Sequence, residues 1–108
     1  MTLTTWSSRP PESTTLSIVV PTRNEAGNVA RLAAELEHAL GEVAAEIIFV
    51  DDSDDETPAA IQAIQSDTRI VLIARPPEER ANGLGGAVIE GFRAARSPYL
   101  CVAVGQQP

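Results

Sequence analysis

Short, continuous apolar runs recur along this chain, and each is followed by a stretch whose apolar residues repeat at helical spacing. Strands are predicted at residues 16–20, 47–50, 70–74 and 99–104, and helices at residues 26–40, from Thr57 onward and at residues 86–96. Fully apolar strands that alternate with amphipathic helices are typical of a parallel sheet covered on both faces. The sequence therefore predicts an α/β fold, an open Rossmann-like parallel sheet with the order βαβαβαβ.

The length of 108 residues allows one small domain with one core. Residues 1–15 are rich in Ser, Thr and Pro, a composition that disfavours a packed core. We predict that residues 1–15 are a disordered tail in which Trp6 has no fixed site. The folded part is predicted to cover residues 16–108.

Charge and cysteine content exclude several classes of protein. The net charge is −7 and the chain contains no Lys, which argues against nucleic-acid binding. Cys101 is the only cysteine and is assigned to the core, while His38 is assigned to the surface, so neither builds a metal or nucleophile site. The sequence has no apolar run of membrane-spanning length and no signal-peptide pattern, so a cytoplasmic protein is expected.

Ligands of such sheets bind beyond the carboxyl ends of the strands. Asp51 and Asp52 follow the second predicted strand directly and open a dense acidic segment. Their carboxylates are suited to accept hydrogen bonds from a ribose or a base. A solvated acidic turn that caps the next helix explains the same residues equally well.

Two further segments lie at the same predicted edge. Residues 21–25 combine a rigid turn with a cation, an amide and a carboxylate, although Asn24 also fits a simple helix cap. Residues 82–87 are glycine-rich and follow Arg75 and Arg80, so their backbone N–H groups are suited to a phosphate. A dinucleotide fingerprint would join the first strand to the first helix, so NAD binding is not predicted.

Taken in order, residues 17–25, residues 49–57 and Arg75 with residues 83–95 resemble glycosyltransferase family 2 of GT-A fold. The likeness is greatest to its dolichyl-phosphate mannose synthase-like branch and covers the amino-terminal half of that fold. The resemblance implies transfer of a sugar from a UDP- or GDP-sugar to an acceptor, a polyprenyl phosphate at the membrane surface. It also implies a set of nucleotide-sugar-binding residues: Pro21, Thr22, Asn24, Glu25, Asp51, Asp52, Arg75, Gly83 and Gly85.

The resemblance also implies a metal ion. The family holds Mg²⁺ or Mn²⁺ with an Asp-x-Asp motif after the fourth strand, whereas here no carboxylate follows Glu90. We therefore assign no metal ligand and no catalytic residue, and we expect a truncated, inactive chain whose uncovered apolar strand edge favours self-association. The alternatives are a non-catalytic nucleotide-binding module and an inactive remnant.

Overall fold

The computed structural model describes residues 4–104 and contains five strands and three helices in that range. The strands are β1 (Thr4–Ser7), β2 (Leu16–Thr22), β3 (Ala45–Asp51), β4 (Arg69–Ala74) and β5 (Tyr99–Val102). The helices are α1 (Val29–Leu40), α2 (Thr57–Gln62) and α3 (Gly83–Ala94), with a 3₁₀ turn at Pro77–Glu79. Every strand and helix predicted from the sequence is present, with bounds that differ by a few residues.

The five strands form one sheet in the order β1-β4-β3-β2-β5. The pairs β2–β3, β3–β4 and β2–β5 are parallel, whereas β1 runs antiparallel to β4. The chain moves outward from β2 to β4 and then returns to place β5 on the other side of β2. The order therefore reverses beside β2, which is where ligands bind in sheets of this kind. The predicted Rossmann-like α/β fold is confirmed.

The strand β1 corrects the prediction of a disordered tail, which is wrong for residues 4–7. Trp6 is paired with Leu72, and its partly buried ring packs against the core. The Ser8 N–H continues the ladder with a bond to the Ile70 carbonyl at 2.9 Å. Backbone pairing along β4 and burial of one large ring outweigh the polar composition. Residues 1–3 and 105–108 lie outside the described part of the chain.

The sheet has a core on each face, which explains why the middle of each central strand is continuously apolar. One core, under α1 and α2, includes Ile18, Val20, Ile47, Phe49, Ile70 and Leu72. The other, under α3, includes Val19, Ile48, Val50, Val71 and Ile73. The helix α3 sits close to β2 because Gly91 has no side chain there. A Cβ on Gly91 would lie 2.4 Å from a methyl carbon of Val19.

The strand β5 forms one edge of the sheet and pairs only with β2 among the described strands. Tyr99 is 67% exposed, and Leu100 and Val102 are also exposed. Cys101 is exposed as well, so its assignment to the core is wrong. The reason is the position of β5, since no helix among residues 4–104 covers it.

A buried carboxylate at the amino end of the strands holds that end of the fold together. Glu46 is almost fully buried and accepts bonds from Ser17 Oγ at 2.6 Å and Arg69 Nη1 at 2.8 Å. It also accepts from the Arg96 N–H at 2.9 Å, which fixes the chain just after α3. The buried Glu46 carboxylate is therefore fully paired within the protein.

Candidate functional site

Three loops meet at the carboxyl end of the sheet. Loop A (residues 23–28) follows β2, loop B (residues 52–56) follows β3, and loop C (residues 75–82) follows β4. Loops A and B, together with the start of α3 that follows loop C, border a cleft of about 190 Å³ beside β2, where the strand order reverses. The cleft is lined by Pro21, Thr22, Arg23, Glu25, Asp52, Gly83, Leu84, Ala87 and Val104.

The floor of the cleft carries a paired carboxylate. Asp52 and Arg75 are both buried, and Arg75 donates from Nε to Asp52 Oδ1 and from Nη2 to Asp52 Oδ2, each at 2.7 Å. Arg75 Nη2 also donates to the Gly83 carbonyl at 3.0 Å. The hydrogen bond with Asp52 raises the pKa of the Arg75 guanidinium above its ordinary value. Asp52 is thus fixed in place with its charge balanced, and its remaining lone pairs are suited to accept from a ligand.

Asp51 lies beneath the cleft and does not line it. Its Oδ1 accepts from Thr22 Oγ1 at 2.6 Å and from Ser53 Oγ at 2.7 Å, and its Oδ2 accepts from the Ser53 N–H at 3.1 Å. Asp51 is almost fully buried. Its carboxylate joins the end of β2 to loop B by hydrogen bonds. Asp51 therefore affects the cleft by holding loop B in position.

Asn24 joins loop A to loop B by two hydrogen bonds and adopts a left-handed φ of 54°. The Asn24 N–H donates to Ser53 Oγ at 2.6 Å, and Asn24 Oδ1 accepts from the Asp54 N–H at 3.0 Å. The helix α1 begins only at Val29, so the alternative of Asn24 as a helix cap is wrong. Glu25, in contrast, lines the cleft with a partly buried carboxylate.

The acidic segment divides between two roles. Asp52 faces the cleft, whereas Asp55 accepts from the Thr57 N–H at 2.8 Å and from the Thr57 hydroxyl at the start of α2. The side-chain hydrogen bond from Thr57 lowers the pKa of Asp55 below its ordinary value of 3.8. Of the two alternatives left open by the sequence, the turn that precedes the next helix describes Asp55, whereas Asp52 lies in the cleft, where a ligand could reach it.

The glycine segment begins α3 at the mouth of the cleft. Gly83 lines the cleft, and Gly85 is exposed with open space where a Cβ would stand. Gly86 was not among the predicted site residues, yet a Cβ there would lie 2.1 Å from the Ala81 carbonyl oxygen and 3.1 Å from Arg75 Nη1. Only glycine fits between loop C and the buried arginine. A close approach of this kind has no local sequence signal beyond glycine itself.

A protein-family profile matches most of the chain, including the three loops described above. Residues 17–103 match the profile of glycosyl transferase family 2, and this range contains β2 from its second residue, β3 to β5 and all three loops. The chain belongs to glycosyltransferase family 2. The resemblance stated from the sequence is confirmed.

One curated relative in this family is similar over nearly the same range. The chain is 37% identical over 88 residues to a dolichol-phosphate mannosyltransferase of Pyrococcus furiosus. The match covers 81% of this chain and 24% of that relative. The chain thus spans about a quarter of the length of the relative it matches.

The family's metal ion does not fit the residues described here. Within residues 4–104, no three His, Cys, Asp or Glu side chains come together in a way that would hold a metal ion. The carboxylates nearest the cleft floor are engaged, Asp52 by Arg75 and Asp51 by Thr22 and Ser53. Mg²⁺ and Mn²⁺ require several accessible oxygen ligands. Glu25, the remaining carboxylate that lines the cleft, does not supply them by itself.

Another cavity bears on the choice of site. A cavity of about 220 Å³ lies at the amino end of the strands, near Arg9 and Arg69, and contains none of the predicted site residues. The cleft beside β2 is therefore the candidate site.

The helices within residues 4–104 are too short or too polar to cross a bilayer.

Proposed function

We propose that this chain is the nucleotide-sugar-binding part of a glycosyltransferase that transfers a sugar from a nucleotide diphosphate sugar. The observation that carries the proposal is the cleft beside β2, where five of the nine implied binding residues line one space. Those five are Pro21, Thr22, Glu25, Asp52 and Gly83.

The nucleoside is proposed to bind over the carboxylates. Asp52, held by two bonds from Arg75, keeps lone pairs that accept from base N–H groups. Glu25 lines the same space and accepts from ribose hydroxyls. Since Arg75 balances the charge of Asp52, the bound nucleoside does not have to offset a buried anion.

The diphosphate is proposed to bind at the start of α3. The amino end of a helix carries partial positive charge and backbone N–H donors, and Gly83 places that end in the wall of the cleft. Gly85 leaves the first turn open to a phosphate oxygen, because its missing Cβ faces open space. Arg23 lines the opposite wall and supplies a full positive charge in a chain of net charge −7.

The acceptor is proposed by likeness. The relative in Pyrococcus furiosus is named for dolichol phosphate and mannose, and we extend the acceptor class to a polyprenyl phosphate for the parent activity. The described residues include no group that we assign to catalysis, so we propose that this chain by itself binds the donor without transferring its sugar. A non-catalytic nucleotide-binding module shares the same site and the same binding properties.

Calorimetric titration with UDP-glucose and GDP-mannose, each with and without Mn²⁺, tests the proposal. We expect binding of at least one of them, with a dissociation constant that Mn²⁺ leaves unchanged, because no three His, Cys, Asp or Glu side chains within residues 4–104 come together to hold the ion. Glu25→Gln is expected to weaken binding about tenfold, through loss of a charged acceptor. Glu35→Gln is the matched control, since Glu35 lies on α1 with its side chain 60% exposed.

Two results would contradict the proposal. Absence of heat with both donors, together with unchanged amide resonances at Asp52 and Gly83, contradicts nucleotide binding. Transfer of labelled sugar to a polyprenyl phosphate by the isolated chain contradicts the separation of binding from turnover.

A further inference from the structure

Arg80, in loop C, uses every arm of its guanidinium to join two loops. Its Nε donates to the Arg75 carbonyl at 2.9 Å, its Nη2 to the Ser53 carbonyl at 2.8 Å, and its Nη1 to Asp54 Oδ1 at 2.9 Å. The Arg80 side chain is only 16% exposed. An arginine that served only solubility would be exposed and would not make three hydrogen bonds within the protein.

The two carbonyls that Arg80 contacts belong to the main chain around the Asp52–Arg75 pair. One is the carbonyl of Arg75 itself, and the other is that of Ser53, which follows Asp52 directly. Arg75 bridges loops B and C through side chains at the floor of the cleft. Arg80 bridges the same two loops through their backbones and is not itself among the residues that line the cleft.

Loop A is drawn into the same network. Ser53 Oγ accepts from the Asn24 N–H, and the Asp54 N–H donates to Asn24 Oδ1. Ser53 and Asp54 are thus held by loop A on one side and by Arg80 on the other. The position of all three loops around the cleft depends on this pair of residues.

We propose that Arg80 is a positioning residue for donor binding, which fixes loops B and C so that Asp52 and the start of α3 face the cleft before the nucleotide arrives. The inference rests on the proposed function of the cleft. A loop ordered in advance does not lose conformational freedom on binding, so affinity rises without a new ligand contact. The bonds to carbonyls carry the effect, because the Asp54 side chain is 61% exposed and its ion pair is screened.

The test compares Arg80→Ala and Arg80→Lys with the matched control Arg93→Ala, since Arg93 lies on α3 with its side chain 73% exposed. Each variant is titrated with the nucleotide sugar that the unaltered chain binds. Amide exchange at Ser53 and Asp54 is measured without ligand. We expect Arg80→Ala to weaken binding about tenfold, as for one charge-assisted hydrogen bond, and to speed exchange.

The conservative variant separates positioning from simple stability. Arg80→Lys keeps the charge but not the fork, so we expect an affinity between those of the unaltered chain and Arg80→Ala. Arg93→Ala is expected to bind within about twofold of the unaltered chain. If Arg80→Ala does not melt cooperatively, Arg80→Lys decides alone, and it must bind more weakly than the unaltered chain.

Failure of the inference is distinct from failure of the proposed function. If the unaltered chain binds a donor and the Arg80 variants bind it equally well, the inference is overturned, even where their exchange is faster or their melting temperature lower. If the unaltered chain binds neither UDP-glucose nor GDP-mannose, the proposed function fails and the inference falls with it.

Discussion

Replacing Gly91 with alanine tests how closely α3 is seated on the sheet. A Cβ at this position would lie 2.4 and 2.9 Å from the two methyl carbons of Val19 and 3.1 Å from its Cβ. Carbon atoms in ordinary contact are about 3.5–4.0 Å apart. The helix would therefore withdraw by about 1 Å, or Val19 would leave its preferred rotamer. Val19 is fully buried, so either response disturbs the core under α3.

The size of the effect follows from two opposing terms. Overpacking a core costs about 1–3 kcal/mol, whereas alanine in place of glycine inside a helix contributes about 1 kcal/mol of stability. The side chain that would be displaced is stiff, and three of its atoms are too close at once, so we take the upper part of the first range. The expected net loss in the free energy of unfolding is about 1–2 kcal/mol, which lowers the melting temperature by about 5–15 °C.

Thermal denaturation followed by circular dichroism measures this loss, with Gly85→Ala as the matched control on the same helix. A Cβ on Gly85 meets nothing within 4 Å, so its melting temperature is expected to stay the same or rise slightly. If Gly91→Ala melts at or above the temperature of the unaltered chain, α3 does not pack on Val19 as described.

Three further outcomes are expected. Arg75→Met leaves Asp52 buried without its partner and should lower the free energy of unfolding by about 3–5 kcal/mol in urea denaturation; an unchanged midpoint contradicts the pair. The bonds from Thr57 lower the pKa of Asp55 below 3.8, so their stabilisation is present above that pH and lost as the pH falls through the lower, folded value. Asp55→Asn should therefore lose less stability on acidification, and an acid melting profile identical to that of the unaltered chain would count against this assignment. Val102→Lys places a charge on the exposed edge strand and should shift sedimentation velocity toward the monomer; a monomeric unaltered chain would refute self-association.

The central strands and the location of the cleft that forms the candidate site were predictable because their signals are local. The apolar runs that became β2, β3 and β4 are continuous, and few structures other than a doubly covered sheet bury such runs. The carboxyl ends of parallel strands share one edge, so the polar loops that follow them had to meet. That reasoning correctly brought Asp52 and Gly83 to one cleft.

The remaining features depend on partners far apart in the sequence. Trp6 lies in a polar segment, and its pairing with Leu72 across the sheet has no local signature. Arg75 and Arg80 were recognised as nearby cations, but nothing in their spacing shows that one pairs with the Asp52 side chain and the other with the Ser53 carbonyl. Glu46 is the second residue of β3, and the sequence gives no sign of its burial, because its partners come from three other segments.

The unlike edges of the sheet limit the symmetry of any assembly. The β5 edge presents apolar side chains, whereas β1 is four residues long with Thr5 and Ser7 exposed, and short polar edge strands discourage further pairing. Two copies that meet through β5 around a twofold axis use the same surface twice and join two five-stranded halves into one sheet. Both outer edges of that sheet would then be β1, so we predict that association through β5, where it occurs, stops at two copies and does not propagate as a fibre.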